Sequence, residues 1–400
     1  MKARVETWGA WVRFGEDAPQ APVDLRGALV AIDHEGARTL GLDGGAAWLL
    51  PGVVGDPANG LGGARRPLEA HVAVTSRCAA GCTGCYQDAT PHGADVARTS
   101  LEQTLDALAQ EGVFTVAFGG GEPLVRDDLG ELAEEVRARN MTPVVTTSGL
   151  GMTEARARSL RPFAQVNVSY DGAGADYASV RGFDGASHAE RAIEMLTEAG
   201  VRVGVNVVLT RDTFPRLEET LERARALGAV EAQLLRYKPA GRAASLDYLA
   251  RRLSREQALG FGATLRRLVT SLRQATPPLS LRIDCALGCF LSTDESLMSN
   301  AAQVERSGIF GCEAGGYLEA VRADGQRTPC SFAPATDEAA LRAFVAEPPE
   351  PCASCTLRNV CRGGCRIVAG FAEGRGADVR PFALAPDPEC PRVALHRGAS

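Results

Sequence analysis

The chain has 400 residues, of which 45% are apolar and 23% charged, a globular composition that excludes a disordered or collagen-like polymer and leaves room for two or three domains. A net charge of −6 supplies no diffuse positive field, which argues against bulk binding of nucleic acid or of a membrane surface. No apolar run reaches spanning length, and the opening MKARVETWGAWVRFGEDAPQ alternates polar with apolar residues rather than forming a signal peptide, so a cytoplasmic protein is expected.

In chain order, residues 1–68 read as a β-rich extension, with strand-like Val5 to Phe14 and Ala28 to Ile32 and a turn at Asp43-Gly44-Gly45. It closes in the Gly/Pro/Arg-rich stretch GDPANGLGGARRP. Regular alternation follows: strand 70–74, helix 100–111 opened by a box-like Ser100 and Gln103, strand 113–118, helix 127–139, strand 143–147, helix 153–160 and strand 165–170. Helix 187–199, strand 201–209, helix 215–227 and strand 231–236 complete it. Six strands, each followed by a helix or crossover, predict a parallel α/β layout over 69–245, either an open sheet or a partial barrel. A linking segment, 246–280, carries a helix from Ser254, box-like with Gln257, to about Arg273 and ends at Pro277-Pro278. Over 281–400 cysteine, glycine and proline dominate, and Tyr317 to Phe332 reads as a hairpin turning at Asp324-Gly325.

Twelve cysteines in a chain without an export signal point to metal or redox chemistry before disulfides. Cys78, Cys82 and Cys85 directly follow the first strand of the α/β region, and the other nine fall between Cys285 and Cys390. Three thiolates on a loop at the carboxyl end of a parallel sheet suit a 4Fe-4S cluster with one iron left open to an exchangeable ligand. An incomplete zinc site is the alternative, since structural zinc takes four protein ligands and only His92 lies near.

With CxxxCxxC in the first β/α loop, the chain resembles the radical S-adenosylmethionine (SAM) superfamily, which implies a partial (β/α)6 TIM-like barrel. Phe118-Gly119-Gly120-Gly121-Glu122-Pro123 looks like the family's GGEP motif, where bare backbone and a carboxylate hold the methionine amine, implying roles for Gly120, Gly121 and Glu122. Thr147 and Ser148 end the third strand. By the same resemblance Ser169 and Asp171 bind the ribose hydroxyls, Arg181 meets the SAM carboxylate, and Asn206 contacts the nucleoside. Gly84 stands where many members carry an aromatic residue, so Tyr86 is the expected adenine neighbour.

The later cysteines, Cys312-x12-Gly325-x4-Cys330 and then Cys352-x2-Cys355-x5-Cys361-x3-Cys365 and Cys390, resemble the seven-cysteine SPASM extension. Read alone, the run from Cys352 to Cys365 equally suits a zinc knuckle. The resemblance implies two auxiliary 4Fe-4S clusters: a nearer one on Cys312, Cys330 and Cys365, and a farther one on Cys352, Cys355, Cys361 and Cys390. Cys285 or Cys289 would complete the nearer, with Cys289 favoured, which leaves one cysteine spare.

As implied by the resemblance, SAM is reductively cleaved to a 5'-deoxyadenosyl radical that takes a hydrogen atom from a substrate. That substrate is expected to be a ribosomally made peptide undergoing crosslinking, thioether formation, epimerisation or oxidation. A small-molecule dehydrogenase is the alternative, and a non-catalytic iron-sulfur or zinc scaffold the reading of another class. A reductase, flavodoxin or ferredoxin is the expected electron donor. No winged-helix leader-peptide domain is legible in residues 1–68.

Overall fold

The computed structural model describes residues 2–6, 9–13, 29–33, 35–36, 67–306, 310–374 and 381–399. The expected turn at residues 43–45 and most of the 55–67 stretch lie outside them. The expected first strand is two, β1 (Lys2–Glu6) and β2 (Gly9–Arg13), which pair antiparallel, and β3 (Leu29–Asp33) adds to β2. This small sheet meets the rest of the molecule through residues of β1 and β2, with the Arg4 guanidinium carbon 5.5 Å over the Tyr317 ring. The Trp11 ring stands edge-on to Tyr317 with centroids 6.1 Å apart, and Arg13 Nη1 donates to the Asn140 carbonyl at 2.8 Å.

In β4 (Glu69–Thr75) period-two alternation buries Ala70, Val72 and Val74 on one face and leaves His71 half-buried on the other. The helix Arg98–Gln110 covers the apolar face with Leu101, Leu105 and Leu108. Each such fully buried aliphatic side chain contributes roughly 1.5–3 kcal/mol. The unit then repeats through β5 (Thr115–Gly120), β6 (Thr142–Thr147), β7 (Gln165–Ser169), β8 (Val203–Leu209) and β9 (Glu231–Arg236). All five are added in parallel and in sequence order. Strands laid down in one direction wind a barrel, whereas a doubly wound sheet reverses about its first strand. The expected α/β partial barrel is therefore the observed architecture.

Two extensions escape the sequence. β10 (Ser280–Ile283) pairs parallel to β9, and β11 (Leu318–Val321) pairs parallel to β4 on the opposite edge. The anticipated hairpin is present, with β11 antiparallel to β12 (Arg327–Thr328) and Gly325 at φ +82° in its turn. It is built into the barrel sheet rather than standing apart. Among the described residues β10 and β12 are edges of one nine-stranded sheet, and the barrel stays open.

The capping box at Ser254 forms, its hydroxyl accepting from the Gln257 amide and the Gln257 side chain accepting from the Ser254 amide. Ser100 caps nothing, because the helix starts two residues earlier and the Ser100 carbonyl accepts from Thr104 inside it. Among the described residues no helix is long and apolar enough to cross a membrane.

Candidate active site

Cys78, Cys82 and Cys85 lie on the loop that leaves β4, at the carboxyl end of the sheet. The Cys78 amide donates to the Thr90 carbonyl at 2.9 Å and the Cys85 amide to the Cys82 carbonyl at 3.3 Å. A second clamp arrives from the segment after β9. Arg242 donates through Nε to the Cys82 carbonyl at 2.9 Å, through Nη1 to Ala89 at 3.0 Å, and through its amide to the Cys85 carbonyl at 2.9 Å. Gly241 makes this approach possible, since a Cβ there would stand 2.5 Å from the Cys85 carbonyl oxygen. Neither residue could be singled out from the sequence, where they are an ordinary Gly-Arg pair 160 residues from the loop. The three thiols act on one another electrostatically. Burial pushes Cys78 up, and Glu122, Cys82 and Cys85 add to it, against the Ala80 amide. Burial also raises Cys82, opposed by the Arg181 guanidinium.

At the end of β5, Gly120 has φ +114°, and a Cβ there would meet the Thr75 carbonyl at 2.3 Å; one at Gly121 would meet the Arg77 carbonyl at 2.1 Å. Only bare backbone fits this cradle beside the cysteine loop. Glu122, 5% exposed, accepts four hydrogen bonds: from the Leu124 amide at 3.0 Å, Thr147 Oγ1 at 2.6 Å, the Ser148 amide at 2.8 Å and Ser148 Oγ at 2.5 Å. Four bonds use the acceptor capacity of a carboxylate. The side chain expected to meet an ammonium is thus spent on tying β5 to the end of β6, which places the glycines and the two hydroxyls.

Asp171 and Arg181 also hold each other. Asp171, fully buried, accepts from Arg181 Nε at 2.5 Å and from the Val208 amide at 2.7 Å, so the resemblance-based ribose role falls on a carboxylate already engaged twice. The pair aims the guanidinium at Cys82. Ser169 and Asn206 are register partners on β7 and β8. Asn206 Nδ2 donates to Thr146 Oγ1 at 3.3 Å, whereas its Oδ1 is buried and lacks a hydrogen-bond partner. An orphaned acceptor at the barrel mouth is what a bound donor-bearing group would satisfy. With three thiols and a side-chain-free cradle beside it, the site fits a SAM-chelated cluster. Tyr86, the expected adenine neighbour, instead stacks on Phe332 at 4.4 Å between centroids, with Lys238 Nζ 4.1 Å over the Phe332 ring.

The C-terminal thiols fall into two groups; all twelve cysteines of the chain are free. Burial raises Cys285, and Cys312 and Cys365 act on it; burial raises Cys330 to about 12, and the same two act on it. Cys285, Cys312, Cys330 and Cys365 are therefore an inner group, next to the Tyr86–Phe332 stack. Burial raises Cys352 to about 11 with Cys390 and Cys355 beside it, and raises Cys361 with Cys390 and Cys352 beside it, which defines an outer group.

The structure thus places Cys285, not the favoured Cys289, with the inner thiols. Cys289 Sγ lies 3.5 Å from Arg236 Nη1 and 3.6 Å from Asp387 Oδ2. The reason is the local helix type: Cys285–Leu291 is a 3-10 helix, capped by the Asp284 carboxylate on the Ala286 amide. At three residues per turn a four-residue step rotates about 120° further than a full turn, so the two cysteines face different neighbours. Between the thiol groups lie the ion pairs of Arg236 with Asp387 at 2.5 Å and with Glu389 at 2.8 Å, and Lys238 pairs with Asp284 at the inner group.

Comparison with known proteins accords with this geometry. Residues 72–224 match the family model of the Radical SAM superfamily. The AdoMet-dependent heme synthase of Oleidesulfovibrio alaskensis is 29% identical over 179 residues, 43% of this chain and 46% of that protein. The mycofactocin maturase MftC of Mycolicibacterium smegmatis is 31% identical over 178 residues, 43% of this chain and 45% of that protein. The chain spans about half the length of the curated relatives it matches. The crystal structure of Streptococcus suis SuiB bound to its precursor peptide SuiA superposes with a TM-score of 0.62 at 14% identity, covering 96% of this chain and 98% of that one, and shares the fold. Residues 72–224 are thus a radical SAM domain, and the region that follows the barrel is cysteine-rich. Such a domain implies SAM and a 4Fe-4S cluster as cofactors.

Proposed function

We propose that this enzyme is a cytoplasmic maturase that modifies a ribosomally made peptide, using one SAM-binding and two auxiliary 4Fe-4S clusters. The observation that carries the reading is the convergence, at one barrel mouth, of the Cys78, Cys82 and Cys85 loop, the Gly120-Gly121 cradle and the orphaned Asn206 oxygen, with a second thiol field packed against them through Tyr86 and Phe332. Bound SAM and its cluster supply the hydrogen-abstracting chemistry. The chain's own residues bind and orient. Backbone at Gly120 and Gly121 takes the methionine amine, the free face of Arg181 takes the carboxylate, and Ser169 and Asn206 take the nucleoside. Glu122 and Asp171 act as positioning residues. Thr147 and Ser148 are held by Glu122 at the rim of the same cradle.

Cys285, Cys312, Cys330 and Cys365 would hold the nearer auxiliary cluster, and Cys352, Cys355, Cys361 and Cys390 the farther. Accordingly, Cys285→Ala is expected to lower bound iron by about four atoms per chain, whereas Cys289→Ala keeps the wild-type iron content. Iron analysis of anaerobically reconstituted protein decides between them, and the reverse pattern would restore Cys289 as ligand.

A peptide substrate is supported by the likeness to a mycofactocin maturase and by the seven-cysteine spacing. A small-molecule substrate is the second reading, favoured by the comparable likeness to a heme synthase. The electron donor is a reductase, flavodoxin or ferredoxin. The test is co-expression with short peptides encoded beside the gene, read by intact mass in light and heavy water. Loss of two hydrogens marks a crosslink or oxidation, and one deuterium gained marks epimerisation. Unchanged peptide in cells whose enzyme carries its clusters shifts the assignment to a small molecule.

A further inference from the structure

The barrel-facing side of β4 carries a linked trio that the candidate site does not use. His71 Nε2 lies 2.7 Å from Glu69 Oε1, and its Nδ1 lies 2.7 Å from Ser331 Oγ. Burial opposes charge on Glu69, but His71 and Arg282 hold its carboxyl below the usual value. A carboxylate only accepts, so Nε2 carries the ring hydrogen and Nδ1 is left to accept the one on the Ser331 hydroxyl. Hydroxyl, imidazole and carboxylate in that order form an arrangement that draws a proton away from the hydroxyl. His71 stands on the face of β4 opposite the one covered by the helix Arg98–Gln110, and its register neighbours on β5 and β11 are the small Ala117 and Ala320. Two residues on, about 7 Å along the strand, Ala73 stands against the glycine cradle, its Cα 3.3 Å from where a Cβ on Gly120 would be. Ser331 lies between Cys330, an inner thiol, and Phe332, whose ring stacks on Tyr86, the residue after Cys85. The hydroxyl therefore sits at the seam of the two thiol fields. At the other end of the trio the His71 and Glu69 side chains are 37% and 36% exposed and reach water. A pair that wet contributes little to stability, so folding alone does not account for it. Glu313, ahead of β11, acts electrostatically on His71 and Glu69, and Arg282 of β10 acts on Glu69.

We propose that His71 is the proton acceptor of substrate oxidation, reached through the Ser331 hydroxyl and paired with electron transfer to the inner thiol group. The inference rests on the reading that the enzyme oxidises its substrate and that the inner thiols hold a 4Fe-4S cluster. A substrate that loses two hydrogens gives one, as an atom, to the deoxyadenosyl radical. The substrate radical left behind then sheds one electron and one proton. The electron passes to the inner cluster, and the proton to Ser331 Oγ, whose own hydrogen moves to His71 Nδ1. The reduced cluster carries one more negative charge, which favours the imidazolium, so electron and proton are taken up together. The sequence conceals this, since a lone histidine in a strand announces no partner 260 residues away.

The linkage is measurable without substrate, by EPR-monitored redox titration of reconstituted holoprotein from about pH 6 to 9, across the ordinary histidine range. In wild type the midpoint of one auxiliary cluster is expected to fall as pH rises, because reduction strengthens the hold of His71 on its proton. In His71→Gln it is expected to stay flat. Glu69→Gln removes the carboxylate that favours the charged ring, so the fall is expected to move to lower pH. A pH-independent wild-type midpoint overturns the proposal, as does a fall that survives in His71→Gln with full iron and so belongs to Glu313 or another group. If the His71 variant does not assemble, Glu69→Gln decides, and an unmoved pH range overturns it. With a peptide that wild type converts by loss of two hydrogens, His71→Gln is expected to form deoxyadenosine in several-fold excess over product; matched yields also overturn it. Wild-type protein with fewer than about twelve iron atoms and no inner-cluster signal would instead remove the cluster reading beneath it.

Discussion

Cys82→Ala is expected to reduce 5'-deoxyadenosine formation to background and to remove about four iron atoms per chain, while the auxiliary-cluster signals persist. Cys82 is the middle member of the loop, and the structure separates its two contributions. Its carbonyl anchors the backbone by accepting from Arg242 and from the Cys85 amide, and alanine keeps both bonds. Its thiol is all that the substitution removes, so loss of activity reports on iron ligation rather than on loop collapse. Two remaining thiolates cannot hold a cube that needs at least three. The measurement is deoxyadenosine by mass spectrometry after anaerobic reduction with SAM present. Persistence of that product would refute the assignment of the site.

Arg236→Met should be the most destabilising single change near the thiols, by about 3–5 kcal/mol, because it leaves Asp387 buried and unpaired. Asp387 is fully buried and also accepts from the Cys365 amide at 2.9 Å, so its charge is tied to the inner thiol group. Burial works to raise its carboxyl, but Arg236 and the amides of Cys365 and Glu389 hold it below the usual range. A depressed carboxyl stabilises the fold above its unfolded value near pH 4, and that stability is lost as pH falls through the depressed value. The methionine variant forfeits it at neutral pH as well. Glu389 keeps Arg252 and Tyr248 as partners and suffers less. Chemical denaturation of holoprotein checks the value, and adding Asp387→Leu should recover much of the loss. A single variant within 1 kcal/mol of wild type would contradict the buried-pair account.

What could be read from the sequence was what local rules encode. The strands and helices of the barrel follow from periodicity, the Ser254 box from its spacing, and the Asp324-Gly325 turn from chemistry peculiar to that pair. The first thiol field and the glycine cradle were legible because each sits on one short segment, and the second because its cysteine spacing is distinctive. Partnerships between distant segments were not. That Glu122 would be saturated by Thr147 and Ser148, that Asp171 would close on Arg181, and that Tyr86 would stack on a ring 246 residues away all depend on how strand ends meet. The short β10 and β11, four residues each, carry too few side chains to announce themselves. The sequence favoured Cys289 over Cys285 because it does not tell an α-helical from a 3-10 step, and the two aim these thiols differently.

The parallel seam between β11 and β4 covers what would otherwise be an edge of the barrel sheet. β4 is the first strand of the barrel, and without a neighbour its main chain would offer a row of unsatisfied donors and acceptors to any passing strand. The neighbour comes from the cysteine-rich region, which ends the row with the two-residue β12 rather than with a long flat strand. Shedding that region would leave the main-chain edge of β4 unpaired, so the part that carries the outer thiols also completes the hydrogen bonding of the barrel's first strand.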